Sequence, residues 1–404
     1  MTDVEGGLDE PAELEPEQGS LRLASPDDRH DAAAWEAAAA AVLRKARRLG
    51  EDDPDSAVWE ALTRTTLDGI AVAPIGSPDS VAELATSGRP TRSGDWDVRA
   101  WVFGPHAEAA NEAVLVDLDN GATSLWVELG RGLTSTDLPT VLRRVLADLA
   151  PVVLEAPHEP VAAARALLAV LDEQGVDGHP GTNLGADPVA AHLRHDVPLD
   201  DALGDLVPVA HLAREHGVLG VTVDASALHD RGATDAQELG YAIATGAAYL
   251  RALTASGLSL EDALGLVEFR FAATDEQFPT IAKLRAARRL WARVVELSGG
   301  AAETAAMRQH VVTSRAMLSK YDPWVNMLRG TVAAFAAGAG GAEAVTVVPF
   351  DVTLGVPDAL GRRVARNTSS LLISESHVAR VADPAGGSYA VERLTDDLAQ
   401  VAWE

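Results

Sequence analysis

The segment YDPWVNMLRGTVAAFAAGAGGAEAVTVVPFDVTLGVPDALGRRVARNTSSLLISESHVARVADPAGGSYAVE, Tyr321–Glu392, decides the fold. Along its length it reads as helix, glycine-rich turn, strand, loop, helix and strand. Both strands, Ala344–Pro349 and His377–Ala382, are read as apolar throughout instead of alternating. Strands of that kind are buried on both faces, as in parallel sheets covered by helices. The helix Pro323–Gly338 runs into Gly338-Ala339-Gly340-Gly341. A phosphate cradle needs its glycines between a strand and the helix that follows, so that the phosphate meets a helix N-terminus. Here the order is reversed, and the glycines read as a helix stop. Ala385-Gly386-Gly387-Ser388, by contrast, is expected to leave the last strand on the functional face.

The same unit recurs upstream. Buried strands are predicted near Ser124–Glu128, Val152–Glu155, His179–Asn183, Gly220–Asp224, Val267–Phe271 and Val311–Ser314, which with the two above make eight. A helix fits between each consecutive pair, clearest at Asp235–Ala255 and Pro279–Ser298. Thr234 and Gln237 have capping-box spacing at the start of the first. In the second, Ile281, Leu284, Trp291, Val294 and Val295 form an apolar stripe, with Lys283, Arg285, Arg289 and Arg293 largely off it. Eight such units are the count of an α/β fold of the (β/α)8 TIM-type barrel, here with an N-terminal helical and β extension.

The expected organisation is an acidic disordered tail over 1–19, an arm and β extension over 20–118, the barrel over 119–392, and a C-terminal end over 393–404. The tail carries seven acidic and no basic residues. Ser25-Pro26-Asp27-Asp28 has the composition of a helix start. That helix passes through Trp35 and Leu43 and finishes with Arg44, Lys45, Arg47 and Arg48 before Gly50. A short helix over Ser56–Thr65 follows, then apparent β segments at Gly69–Pro74, Trp96–Phe103 and Glu112–Asp117, the last ending at the turn signal Asp119-Asn120-Gly121.

A chain of 404 residues, 47% hydrophobic, can bury a sizeable core. No apolar run reaches the roughly 20 residues a membrane helix needs, and no secretory signal opens the chain, so a cytoplasmic protein is expected. The absence of cysteine excludes disulfides, thiolate metal sites and thiol nucleophiles. A formal net charge of −27 opposes nucleic-acid binding, which needs a basic footprint. The eleven histidines are scattered, without HExxH or another ligand spacing. Expected strand ends place Glu128, Glu155, His158, Asn183, Asp224, Ser226, Thr274, Thr313, Ser314, Asp351 and Asp383 on a polar rim with no obvious dyad or triad.

The opening segment, together with FRFAATDEQFPTIAKLRAARRLWARV (Phe269–Val294) and DASALHDRGATDAQELGYAIATG (Asp224–Gly246), closely resembles the barrel of the methylmalonyl-CoA mutase family. The resemblance covers most of the chain after about residue 60. It implies a (β/α)8 barrel, an adenosylcobalamin-dependent carbon-skeleton mutase, and an N-terminal arm that wraps a partner subunit. It also implies a cobalt-ligating Asp-x-His-x-x-Gly in a separate cobalamin-binding domain, which this sequence does not contain.

Against the family's catalytic pattern, its Gly-Tyr-His falls on Ala225-Ser226-Ala227, with His229 two residues displaced. Its Arg-x-Ser is replaced by Leu266-Val267-Glu268, where a glutamate is expected to repel CoA phosphates. Its Ser-Leu-His-Thr-Asn becomes Val345-Thr346-Val347-Val348-Pro349. His310, Thr313 and Ser314 match the catalytic His-x-x-Thr-Ser and are the candidate substrate contacts; no catalytic or metal residue is assigned. The pattern is that of the small subunit of the heterodimeric bacterial enzyme. The resemblance therefore implies an isomerase subunit inactive alone, whose partner is the methylmalonyl-CoA mutase large subunit holding adenosylcobalamin. Two alternatives stay open: a stand-alone acyl-CoA mutase barrel that recruits a separate cobalamin-binding chain, and a binding or scaffold barrel.

Overall fold

A computed structural model describes residues 30–84, 92 and 94–404. The acidic tail and the Ser25 helix start lie outside the described residues. Two compact units divide at Arg64/Thr65. In the first, the helix Ala32–Lys45 is capped by Asp31, whose carboxylate accepts from Ala34 N–H at 2.9 Å, and it ends on Arg44 and Lys45. Trp35 packs at a tilt against Trp59 of the short helix Val58–Leu62, ring centres 4.6 Å apart, and the Trp59 indole donates to Glu36 at 2.6 Å. Ala40, Leu43 and Val58 complete this small core, so part of the apolar surface of the arm is sheltered within its own unit.

The second unit is a closed barrel of eight parallel strands. They are β1 Asp97–Val102, β2 Ser124–Glu128, β3 Val152–Glu155, β4 Asn183–Ala186, β5 Leu219–Asp224, β6 Val267–Ala273, β7 Arg308–Thr313 and β8 Ala344–Thr346. Each pairs with the next, and β8 returns to β1 through Ala344↔Asp97 and Val345↔Val98. The principal covering helices are α1 Ala107–Asp119, α2 Pro160–Gln174, α3 Leu199–Glu215, α4 Asp235–Ala255, α5 Gln277–Leu297, α6 Pro323–Ala339, α7 Ala359–Ser374 and α8 Tyr389–Trp403. The β2–β3 crossover is shorter, with a single helical turn at Leu138–Val141.

Eight strands were expected, but the set is shifted by one. Trp96–Phe103, read as part of the extension, supplies β1, so the barrel starts at Asp97 and not at residue 119. His377–Ala382 is no strand. Val378–Arg380 is one 3-10 turn, because β8 already pairs on both sides and leaves no edge to extend. Glu112–Asp117 lies inside α1: its buried residues Ala110, Asn111, Val114 and Asp117 follow helical spacing, which overrides the local alternation of its valines. His179, Pro180 and Gly181 precede β4, which starts at Asn183 where the expected strand ended. In the Gly69–Pro74 segment only Ala71–Val72 is extended. The helices were read more closely, and the Thr234/Gln237 capping box opens α4.

Pleat alternation divides β6 cleanly. Phe269 and Phe271 point to the helices, while Glu268 and Arg270 point into the lumen. On the outside, Trp291 of α5 meets Phe269 edge-on at 4.7 Å and is 2% exposed. Gly246 of α4 admits this close approach, since a Cβ there would sit 2.9 Å from the Trp291 ring. The basic residues off the α5 stripe are not all left to water, because α4 and α8 pack on that side too. Lys283 is buried against Asp235 and Glu238 at 2.8 and 2.6 Å, and Arg285 against Asp383 and Glu392.

Candidate functional site: a filled barrel lumen

In a (β/α)8 barrel the inward side chains near the C-terminal strand ends form the site. Here that space is occupied by the chain itself. Trp101 of β1 and Trp126 of β2 stack at 5.3 Å, and Phe103 lies 4.2 Å from Trp101. With Val153, Val312 and Val348 they form an apolar cluster separate from the main core. The Arg270 guanidinium lies 4.1 Å over Trp126; Arg315 lies 5.5 Å from Trp101, and Arg131 is 4.8 Å from Phe103. Such cation–π contacts strengthen as water is excluded.

Charge in this space is tightly matched. Arg270 donates from Nη1 to Glu155 at 2.7 Å and Asp224 at 3.3 Å, and from Nε to His310 Nδ1 at 3.2 Å. Glu155 also accepts from Trp126 Nε1 at 3.0 Å. Burial works to raise the Glu155 pKa, but neighbouring His195, Arg270 and Arg194 outweigh it and hold the carboxyl well below its ordinary range. Glu128, which accepts from Trp101 Nε1 at 2.9 Å, is pushed upward by burial and by the charge of Glu155. Arg194 reaches in from the helix Pro188–His195 to Ser226 at 2.8 Å and Asp224 at 3.2 Å. Deeper in the lumen, Arg99 pairs with Glu268 at 2.8 Å, and Arg308 lies 3.3 Å from the same carboxylate. Glu268 is therefore neutralised within the barrel, and the expected repulsion of CoA phosphates has no exposed charge behind it.

The three candidate substrate contacts occupy different settings. His310 is fully buried; Nδ1 faces Arg270, Nε2 hydrogen-bonds Thr346 at 2.8 Å, and the ring meets Trp126 edge-on at 5.6 Å. Burial, Arg99 and Arg270 depress its pKa far below the usual histidine range, so it is neutral. Thr313 spends its hydroxyl accepting from Val348 N–H at 2.8 Å. Ser314 Oγ lies 2.7 Å from His229 Nε2 and accepts from Met317 N–H, while His229 Nδ1 is 3.7 Å from Glu238. The order Ser–His–carboxylate is that of a proton relay. With Ser314 2% exposed and already capping a backbone amide, it ties the β5 and β7 loops together.

Of the other rim residues, Glu128, Glu155, Asp224 and Ser226 do converge. His158 meets His195 edge-on at 5.8 Å, and Asn183 hydrogen-bonds Thr222 at 3.3 Å within the barrel. Thr274 hydrogen-bonds Thr280 at the start of α5, Asp351 accepts from Asp358 N–H just before α7, and Asp383 lies outside the barrel on Arg285. Sequence reading passed over Arg99, Arg194, Arg270, Trp101 and Trp126. The inward phase of β6 marks Arg270, since the alternation that sends Phe269 and Phe271 outward requires it.

Beside this network, the cavity lined by Glu155, Asp187, Arg194, His195, Asp224 and Arg270 measures ≈ 30 Å³. That is water-sized, against roughly 300–1,000 Å³ for a site that takes a drug-sized ligand. These residues do not fit a corrin ring or an acyl-pantetheine chain. Among the described residues no group of three or more His, Cys, Asp or Glu could hold a metal ion. None of the described helices is long and apolar enough to cross a membrane.

A family model described as methylmalonyl-CoA mutase matches residues 154–404. The chain is 49% identical over 409 residues to the methylmalonyl-CoA mutase small subunit of Streptomyces virginiae, with 96% of this chain and 65% of that one covered. It is 41% identical over 391 residues to the probable small subunit of Mycobacterium bovis, covering 92% of this chain and 63% of the relative. Against the small subunit of Propionibacterium freudenreichii subsp. shermanii it is 38% identical over 386 residues, covering 92% and 60%. It thus spans less than two-thirds of the length of each of these relatives. The family match over most of the barrel, together with the eight-stranded closure it spans, shows that the chain belongs to the methylmalonyl-CoA mutase family.

Proposed function

We propose that this chain is a non-catalytic subunit of an adenosylcobalamin-dependent methylmalonyl-CoA mutase. It supports a large subunit that interconverts (R)-methylmalonyl-CoA and succinyl-CoA. The cofactor supplies the radical chemistry of the complex and, in this reading, is held by the large subunit. The observation that carries the proposal is the lumen, where Trp101, Trp126 and Arg270 occupy the space an acyl-CoA would need. The substituted strand ends support it. Ser226 and Ala227 stand where the catalytic pattern has Tyr and His, and Ser226 is committed to Asp224 at 2.5 Å and to Arg194. On this reading His310, Thr313 and Ser314 were kept for the bonds they make within the barrel and have no contact with acyl-CoA. The lumen residues maintain a rigid surface for the partner.

Co-expression with a large subunit, followed by size-exclusion chromatography and a mutase assay, tests the proposal. The two chains are expected to co-elute and the complex to form succinyl-CoA. The chain alone is expected neither to turn over methylmalonyl-CoA nor to change the visible spectrum of adenosylcobalamin. Succinyl-CoA formed by a clean preparation of the isolated chain would favour the stand-alone mutase. Failure to co-elute would favour a scaffold outside the mutase system.

A further inference from the structure

Helix α7 turns a polar stripe toward the barrel wall beside the buried Ala365 and Leu372. Arg362, Arg366 and Ser369 stand at i, i+4 and i+7, one face of the helix. They face the seam between β8 and β1, whose register pairs are only Ala344↔Asp97 and Val345↔Val98. Beyond those pairs Val347 and Pro349 continue without β1 partners, and a cavity of ≈ 20 Å³ lies between them, α7 and Asp117.

Three donors lining that cavity have no protein partner: Arg362 Nε, Arg366 Nε and Ser369 Oγ. Arg366 is 8% exposed and Ser369 fully buried. The hydroxyls on either side of Ser369 behave as helix hydroxyls usually do, Thr368 donating to Val364 C=O at 2.9 Å and Ser370 to Arg366 C=O at 3.3 Å. Ser369 does not, and its hydroxyl is free for the cavity. The charges are unequal as well. Arg362 and Arg366 both pair through their Nη atoms with the single carboxylate of Asp117, which is 3% exposed. Arg99, which also lines the cavity, belongs with Arg308, Glu268 and Asp97 to a separate group in which two arginines meet two carboxylates. The Arg362–Arg366–Asp117 group is left with one positive charge, and the side chains that carry it are largely buried.

We propose that this cavity binds one small monovalent anion of the size of chloride, held by Arg362 Nε, Arg366 Nε and the Ser369 hydroxyl. A cavity needs about 10–15 Å³ to admit one water-sized sphere, so this one takes a single monatomic ion. Water is the alternative occupant. It offers two lone pairs to three donors and leaves the surplus charge in place, whereas an anion meets both demands. The ion would fasten α7 across the β8–β1 closure of the barrel.

Bromide is the probe for this site. Crystals of the full chain soaked in bromide are expected to give an anomalous peak in the cavity, within hydrogen-bond distance of the three donors. In solution the melting temperature is expected to rise with chloride compared with gluconate at equal ionic strength, by linkage. Ser369→Ala removes one neutral donor and is expected to raise the half-saturating chloride concentration about tenfold, the scale of one hydrogen bond to a charged group. Arg366→Met leaves Asp117 and Arg362 balanced one to one and is expected to abolish the chloride response. If Arg366→Met does not fold, Ser369→Ala and the bromide map decide alone. A saturated soak with no anomalous peak, equal melting in chloride and gluconate, or an unchanged chloride midpoint in Ser369→Ala overturns the proposal and leaves water as the occupant.

Discussion

Replacing Arg270 by methionine tests whether the lumen is held by charge or by packing. Arg270 is 1% exposed and joins three elements at once: Glu155 at 2.7 Å, Asp224 at 3.3 Å and His310 at 3.2 Å, with its guanidinium 4.1 Å over Trp126. Methionine keeps much of the volume and the contact with the indole, so the loss is mainly electrostatic. Two buried carboxylates then face each other with one cation fewer, and breaking a buried pair by deleting one partner costs roughly 3–5 kcal/mol.

The pH dependence separates this from a packing defect. In the wild type the Glu155 pKa lies below its unfolded value of about 4.3, so its contribution is present above that pH and is lost as pH falls through the folded pKa. Without Arg270 its folded pKa rises, and protonation relieves the uncompensated charge. The difference in stability between wild type and Arg270→Met is therefore largest near pH 7 and narrows toward pH 4. Urea denaturation followed by tryptophan fluorescence at both pH values measures it. A difference of under about 1 kcal/mol at pH 7, or one unchanged at pH 4, would refute the argument.

Trp291→Ala removes a side chain 2% exposed that packs on Phe269 and Gly246, and should cost roughly 3–5 kcal/mol; an unchanged urea midpoint would place the α5 stripe in solvent. His229 is held neutral, its pKa lowered to about 4 by burial and by Lys283. Because its folded pKa lies below the unfolded value of about 6.5, it costs stability progressively as pH falls from there to about 4, on the order of 3 kcal/mol in full. His229→Gln should flatten that part of the stability–pH curve, and a curve parallel to the wild type refutes the assignment. In the N-terminal unit Val42 is 66% exposed while Trp35 packs on Trp59, so Val42→Asp probes the outer face of the arm without opening its core. We expect Val42→Asp, or deletion of residues 1–50, to leave the circular dichroism of the barrel intact and to weaken co-elution with a large subunit; undiminished complex formation by both would end the interface role of the arm.

The sequence by itself determined the repeating unit, the number of strands, the helices α4, α5 and α6 nearly to the residue, and the family. Those features rest on local signals: apolar runs long enough for one strand, a capping box at Thr234, a glycine stop after α6. Which eight segments closed the barrel was decided only by tertiary structure. Asp97–Val102 and His377–Ala382 both read as strands, and the choice fell to the one that could pair with both β2 and β8. Glu112–Asp117 likewise became helix because its buried face packs at helical spacing, a long-range demand that outweighs local propensity. The site was legible only as a ring of strand-end carboxylates and hydroxyls. That Glu155 and Asp224 share Arg270, 115 and 46 residues away in sequence, follows from closing the sheet on itself. His310 shows the limit most plainly: its motif is legible in the sequence, but only the folded barrel buries the ring fully and places its two nitrogens against Arg270 and Thr346.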